Sequence, residues 1–192
     1  MFFHWEPHVN DRSDAVMRLE GLHERHTGLT ESISGTYLEA ASVCFSRHHD
    51  SPVHLTIACD GESSVEAVEF PRPTDRVMKA WANRTDTTED GAYGVSLAAV
   101  EVKSQLVAVR RAETLTGADW YVAPIGSDPD DLEKCYRLEI SGIDTGNQAV
   151  MAARLRQKIE QTRKGVSNLP AIASVVGFRE KAVVIQTVGD QR

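Results

Sequence analysis

Residues 117–122 read GADWYV and residues 135–142 read CYRLEISG, with an acid-rich loop, SDPDDLEK, at 127–134. In the second segment the alternation is clean. Tyr136, Leu138 and Ile140 fall on one face of a strand, and Arg137, Glu139 and Ser141 on the other. In the first segment Asp119 and Tyr121 share a face opposite Trp120 and Val122. Two neighbouring strands of this kind would present Asp119 and Glu139 to the same place. A carboxylate pair held in that way binds a divalent cation or does acid–base work. The plainer alternative, two acids on the solvent face of a sheet, stays open on these residues alone.

Working outward, strands are expected at 106–111, 117–122 and 136–141. Asn147 caps a helix from Gln148 to Lys164, with Met151, Ala152, Leu155 and Ile159 as its buried stripe and Gly165 as its stop. Basic residues crowd its other faces: Arg154, Arg156, Lys158, Arg163 and Lys164. Strands at 171–178 and 182–188 close the chain. Upstream, residues 89–103 read as a helix in which Tyr93, Leu97 and Val100 stack, with Glu101 on or near that face. Residues 83–90 read as a polar linker containing several N-cap types. Thr30 caps a helix over 31–47, ended by the HHDSP run at 48–52, since a residue before proline leaves the helical region. Residues 53–59 and 65–70 flank the turn sequence DGESS, a hairpin signal, and a short helix follows at 74–82.

The chain has 192 residues, 41% hydrophobic and 26% charged, which fits one well-buried core. Its net charge of -7 argues against a protein that coats nucleic acid through a wholly basic surface, though not against a local basic patch. Cys44, Cys59 and Cys135 are widely spaced and form no CxxC pair, so they are expected as reduced thiols in a cytoplasmic protein. No apolar run reaches the ~18–20 residues of a membrane span, and the first residues lack the pattern of a signal peptide. His23 and His26, with His4 and His8 upstream, have a spacing conceivable for zinc, but a second ligand pair is missing. His48 and His49 read as a helix terminus, with metal or phosphate binding as the alternative.

From residue 89 the order is helix, three strands, helix, strand. That order, with Asp119 on the second strand and Glu139 on the third, resembles the core of the PD-(D/E)XK nuclease superfamily over roughly the last hundred residues. The resemblance implies an α/β (α+β) fold in which helices flank a mixed central sheet. It implies one domain over 1–192: a restriction-endonuclease-like core at 86–192 and an N-terminal helix plus β-hairpin extension at 1–85. It implies Mg²⁺ held by Asp119 and Glu139, with Glu101 resembling the extra acid some members carry on the first core helix. Two positions depart from the pattern: Ala118 stands where the family has proline, and Ser141 where it has lysine. Some members move the lysine to the following helix, where Lys158 or Arg154 is the candidate.

The implied activity is Mg²⁺-dependent hydrolysis of DNA or RNA, with Asp119, Glu139 and Lys158 as the catalytic set. Arg154, Arg156 and Lys158 would track phosphates. A microbial defence or genome-maintenance role fits that family. A serine hydroxyl at 141 cannot replace an ammonium, so the rival expectation is an inactive nuclease-fold module that binds a nucleic acid, a protein partner or a second copy of itself. An unrelated α+β protein with a small-molecule role is the third.

Overall fold

The computed structural model describes residues 17–113, 116–164 and 167–189. The expected helix stop at Gly165, and His4 and His8, lie outside the described residues.

Helix α4 (Arg84–Ser104) is the element on which the others are laid. It begins at Arg84 rather than Glu89, because Asn83 is its N-cap and accepts from the amides of Thr85 and Asp86. Every residue from Gly91 to Val100 is buried. A helix covered all round needs neighbours all round. On one side lies α2 (Glu31–Ser46), whose backbone comes so near that a Cβ on Gly91 would stand 3.0 Å from the Ala41 amide nitrogen. On the other side lies the sheet. There a Cβ on Gly142 would run into the Thr88 carbonyl oxygen and the Ala92 side chain.

The sheet has seven strands: β1 (Val53–Cys59), β2 (Glu62–Val68), β3 (Leu106–Arg111), β4 (Trp120–Pro124), β5 (Tyr136–Ile143), β6 (Ala171–Gly177) and β7 (Ala182–Val188). Their order is β2-β1-β7-β6-β5-β4-β3. The β5–β6 and β1–β7 pairs are parallel and the others antiparallel. A parallel neighbour requires a crossover, and α5 (Gln148–Lys164) makes it between β5 and β6. The pleat separates the two faces. Leu138, Ile140, Ile172, Val176, Val183 and Ile185 join α2 and α4 in the main core. Ile143, Val175, Ala182 and Val184 meet Met151 and Leu155 of α5 on the other face. Ala152, expected in the buried stripe of α5, is exposed. The expected mixed sheet flanked by helices is present. The N-terminal helix and hairpin are built into it, through β1 on β7 and α2 on α4, and the short helix expected at 74–82 is α3 (Asp75–Ala80).

The segment around the short helix α1 (Leu22–Arg25) covers the free edge of β3. Gly28 donates its amide to the Ala108 carbonyl (2.9 Å), and the Ala108 amide donates to His26 Nδ1 (2.8 Å). At Ala108 the edge strand thereby loses its open backbone groups. Since Nδ1 accepts, the His26 proton sits on Nε2, 3.2 Å from Glu101 Oε2. Arg25 Nε donates to Glu101 Oε1 at 2.7 Å. Both ring nitrogens of His26 are thus engaged by the fold, in keeping with the reading that His23 and His26 are not a zinc pair. His48 pairs with Asp144 (2.8 Å) and His49 with the Phe178 carbonyl (3.0 Å), so these two fasten the end of α2 instead of converging on one ion. The three cysteines are free, and burial pushes the Cys44 thiol up to about 12. Among the described residues no helix is long and apolar enough to cross a membrane.

Because α4 rests directly on Gly142, Gly142→Ala should overpack that contact and cost about 1–3 kcal/mol in urea unfolding. A change at exposed Ala152, such as Ala152→Ser, should stay within about 0.5 kcal/mol. Equal stabilities for the two variants would contradict the close approach of α4 to β5.

Candidate functional site

Asp119 lies one residue ahead of β4. The β4–β5 register pairs Trp120 with Leu138 and Tyr121 with Arg137, so continuing it by one step brings Asp119 level with Glu139. The Asp119 amide donates to the Leu138 carbonyl at 2.8 Å, and Asp119 Oδ2 accepts the Ile140 amide at 2.7 Å. The carboxylate therefore closes the end of the strand pair and is held by it.

The other oxygen of Asp119 meets α4. Tyr93 Oη is 3.0 Å from Asp119 Oδ1 and 2.8 Å from Glu89 Oε1. Glu89 and Tyr93 are four residues apart and share one face of the helix. Three oxygens thus meet around one phenolic proton. The phenol donates to one carboxylate, and the other then faces its lone pair. Ionising the phenol would not relieve this: burial first, then the charge on Asp119, pushes the Tyr93 pKa well up. Positive charge reaches the cluster from Arg111, which stands near both the phenol and Asp119. The Arg111 guanidinium, from the end of β3, lies over the Tyr93 ring at 4.4 Å and the Trp120 ring at 5.2 Å, which fixes the phenol in place.

Glu139 belongs to a ladder between β5 and α5. Arg154 Nη1 donates to Ser141 Oγ (2.9 Å), Lys158 Nζ to Glu139 Oε1 (2.5 Å), and Arg137 Nη1 to the Thr162 carbonyl (3.2 Å). Four residues of helix rise about 6 Å and two residues of strand about 6.6 Å. Steps of four on α5 therefore match steps of two on β5, and the rungs stay in register. The Lys158 and Glu139 side chains are only 17% and 11% exposed. Burial, then the charge on Asp119, raises the Glu139 pKa, and Lys158 only partly opposes them.

A cleft of about 490 Å³ is lined by Glu89, Tyr93, Asp119, Ser141, Lys158, Arg84, Asp144 and Arg154, but not by Glu139. Of the residues expected at the site, Lys158 is bonded to Glu139, Asp119 lies level with Glu139 in the strand register, and Asp119, Lys158 and Arg154 line the same cleft. Arg156 is exposed and is not among the residues lining it. Glu101 is not brought to the site, which corrects its expected place as a third acid. It lies three turns further along α4, about 18 Å by helical rise, with both oxygens taken by Arg25 and His26. The acid that α4 delivers is Glu89, with Tyr93 beside it. Reading Asn83 as the cap would have placed Glu89 inside the helix, one turn before Tyr93. Among the described residues no three His, Cys, Asp or Glu side chains gather as a metal-binding group. Glu89 and Asp119 meet through a phenol, and Glu139 is turned to Lys158. No family model, curated protein or solved structure matches the chain.

The two acids engaged by partners should respond to pH with opposite sign. The raised Glu139 pKa means that the native state keeps that proton to higher pH than the unfolded chain does. Its contribution therefore declines as pH rises from the ordinary carboxylate range through the raised value. Burial opposes the shift at Glu101, but the hydrogen bonds from His26 and Arg25 win and hold its pKa down. Its contribution is present above the ordinary range and lost on acidification. In urea midpoints between roughly pH 3 and pH 7, Glu139→Gln should flatten the decline toward neutral pH. Glu101→Gln should flatten the loss toward acid. Curves displaced in parallel from wild type would contradict both assignments.

Proposed function

We propose that this protein is a metal-dependent phosphodiesterase of the PD-(D/E)XK type that hydrolyses DNA or RNA with Mg²⁺. The observation that carries the reading is two polar clusters side by side on β4 and β5: Glu89 and Asp119 joined through Tyr93, and Lys158 paired with Glu139, which the strand register sets level with Asp119. The topology supports it. β3, β4, β5 and β6 lie side by side in chain order, the first three antiparallel and the fourth parallel to the third through α5.

The donor set suits a hard cation. Glu89 and Asp119 offer carboxylate oxygens on either side of one phenol, and Glu139 lies level with Asp119 in the strand register. Mg²⁺ held there would acidify a bound water and polarise a phosphate oxygen. Lys158 takes the part that Ser141 cannot, presenting an ammonium at the cleft to the charge that grows on the phosphate. Arg154, one turn earlier, holds Ser141 and presents its remaining N–H groups to the same cleft.

A second reading, a module of this fold that binds without hydrolysis, is favoured by the Lys158–Glu139 pair, in which the lysine already neutralises one of the acids. Metal titration separates the two. Mg²⁺ or Mn²⁺ should stabilise wild type, by ~2.7 kcal/mol at a hundred times its Kd. The effect should vanish in Asp119→Ala, weaken in Glu89→Gln and persist in Glu101→Gln. Cleavage of an oligonucleotide should fall at least about 100-fold in Asp119→Ala and in Lys158→Ala. Metal stabilisation without cleavage would support the binding module. Stabilisation and cleavage that survive Asp119→Ala would overturn the site.

A further inference from the structure

The cleft carries cations that the acid cluster does not use. Asp144 accepts from Arg47 (3.1 Å) and His48 (2.8 Å), whose side chains are 10% and 14% exposed. Arg84 is its third and loosest partner: its Nε stands 3.6 Å from Asp144 Oδ2, and its side chain is 67% exposed. A contact of that length from an exposed arginine contributes little, so Arg84 is held near the cleft without being consumed by Asp144. Arg154 gives one N–H to Ser141 and lines the same cleft. We propose that Arg84 and Arg154 form a phosphate subsite beside the Asp119–Glu139 centre and hold an internal phosphate of a polynucleotide next to the one attacked.

The identity of this ligand rests on the hydrolytic reading above. Anion binding by the two arginines does not, and can be measured without metal. The charge balance directs the choice of ligand. The phosphate under attack is served by the cation at the acids and by Lys158. A substrate with one phosphate would leave Arg84 and Arg154 unmatched, whereas a strand brings a second phosphate to them. Guanidinium forks suit phosphate oxygens, and the hydroxyls of Ser141 and Thr145 on the same wall add neutral donors.

The test uses the full chain without divalent metal. At constant ionic strength, inorganic phosphate should stabilise wild type saturably, and Arg84→Gln/Arg154→Gln should bind it at least tenfold more weakly. A single-stranded oligothymidylate, followed by fluorescence anisotropy, should lose at least tenfold in affinity in the double variant. Its salt slope should drop by about 0.7, the loss expected for one phosphate contact on a single strand. Arg84→Lys/Arg154→Lys should recover part of both effects, which a merely structural loss would not allow. Oligonucleotides with and without a 5′-phosphate should bind equally, and a requirement for the terminal phosphate would overturn the internal assignment. Unchanged phosphate and oligonucleotide binding in the double variant would overturn the subsite, as would no saturable phosphate binding by wild type. Failure of the hydrolytic reading would show elsewhere, in metal stabilisation and cleavage that ignore Asp119.

Discussion

Helix α4 can serve this fold only by coming unusually near to both of its neighbours. Its buried middle is pressed between α2 and the sheet, and the two contacts run through positions where a single methyl would crowd Ala41 from Gly91 and collide with Thr88 from Gly142. Packing at that distance makes the helix position a consequence of backbone contact, with little play left to side chains. The first consequence is local. With Thr88 resting on β5, Glu89 and Tyr93 stand at the rim of the sheet, and the Tyr93 hydroxyl reaches Asp119. The second reaches the far end of the helix, where Glu101 fastens Arg25 and His26 and so draws the N-terminal segment along the edge of β3.

On the opposite face a different commensurability operates. Because four helical residues advance almost as far as two strand residues, α5 meets β5 in repeated polar rungs beneath its apolar contacts with β6 and β7. Arg137 closes the buried end of this series on backbone carbonyls. Lys158 and Arg154 continue it outward to the cleft. The lysine therefore stands at Glu139 because of helix register, which is how an ammonium reaches the site although the strand itself carries Ser141 two residues after Glu139. The site is then a junction of two helices and two strand ends. Glu139 is raised by burial and by Asp119, while Glu89 and Asp119 compete for the proton of Tyr93.

Much of this was legible in the chain because alternating polar and apolar faces leave a period even where, as on β5, both faces are covered. The alternation across Tyr136–Ser141 gave β5 and the face of Glu139, and the helix Gln148–Lys164 ran over the residues expected. What was not legible follows from the same rule. A helix buried on all sides has no polar face, so α4 offered little periodicity. Its first turns, RTDTTED at 84–90, looked like a linker until the Asn83 cap was seen. Glu101 was rightly placed near the apolar side of its helix. Its partners, though, lie 76 and 75 residues away in the chain, and no local pattern reports such a contact. Ala152 was misassigned to the stripe of α5 because an alanine carries too little apolar area to mark a face.

The central claim is that Glu89 and Asp119 converge on a cation as well as on a phenol. Anomalous diffraction from crystals soaked in Mn²⁺ measures this directly. The account predicts a single peak in contact with carboxylate oxygens of both Asp119 and Glu89, with the Tyr93 hydroxyl bonded to no more than one of them. An absence of any peak at Asp119 under saturating Mn²⁺, with Tyr93 still bridging the two acids, would contradict it.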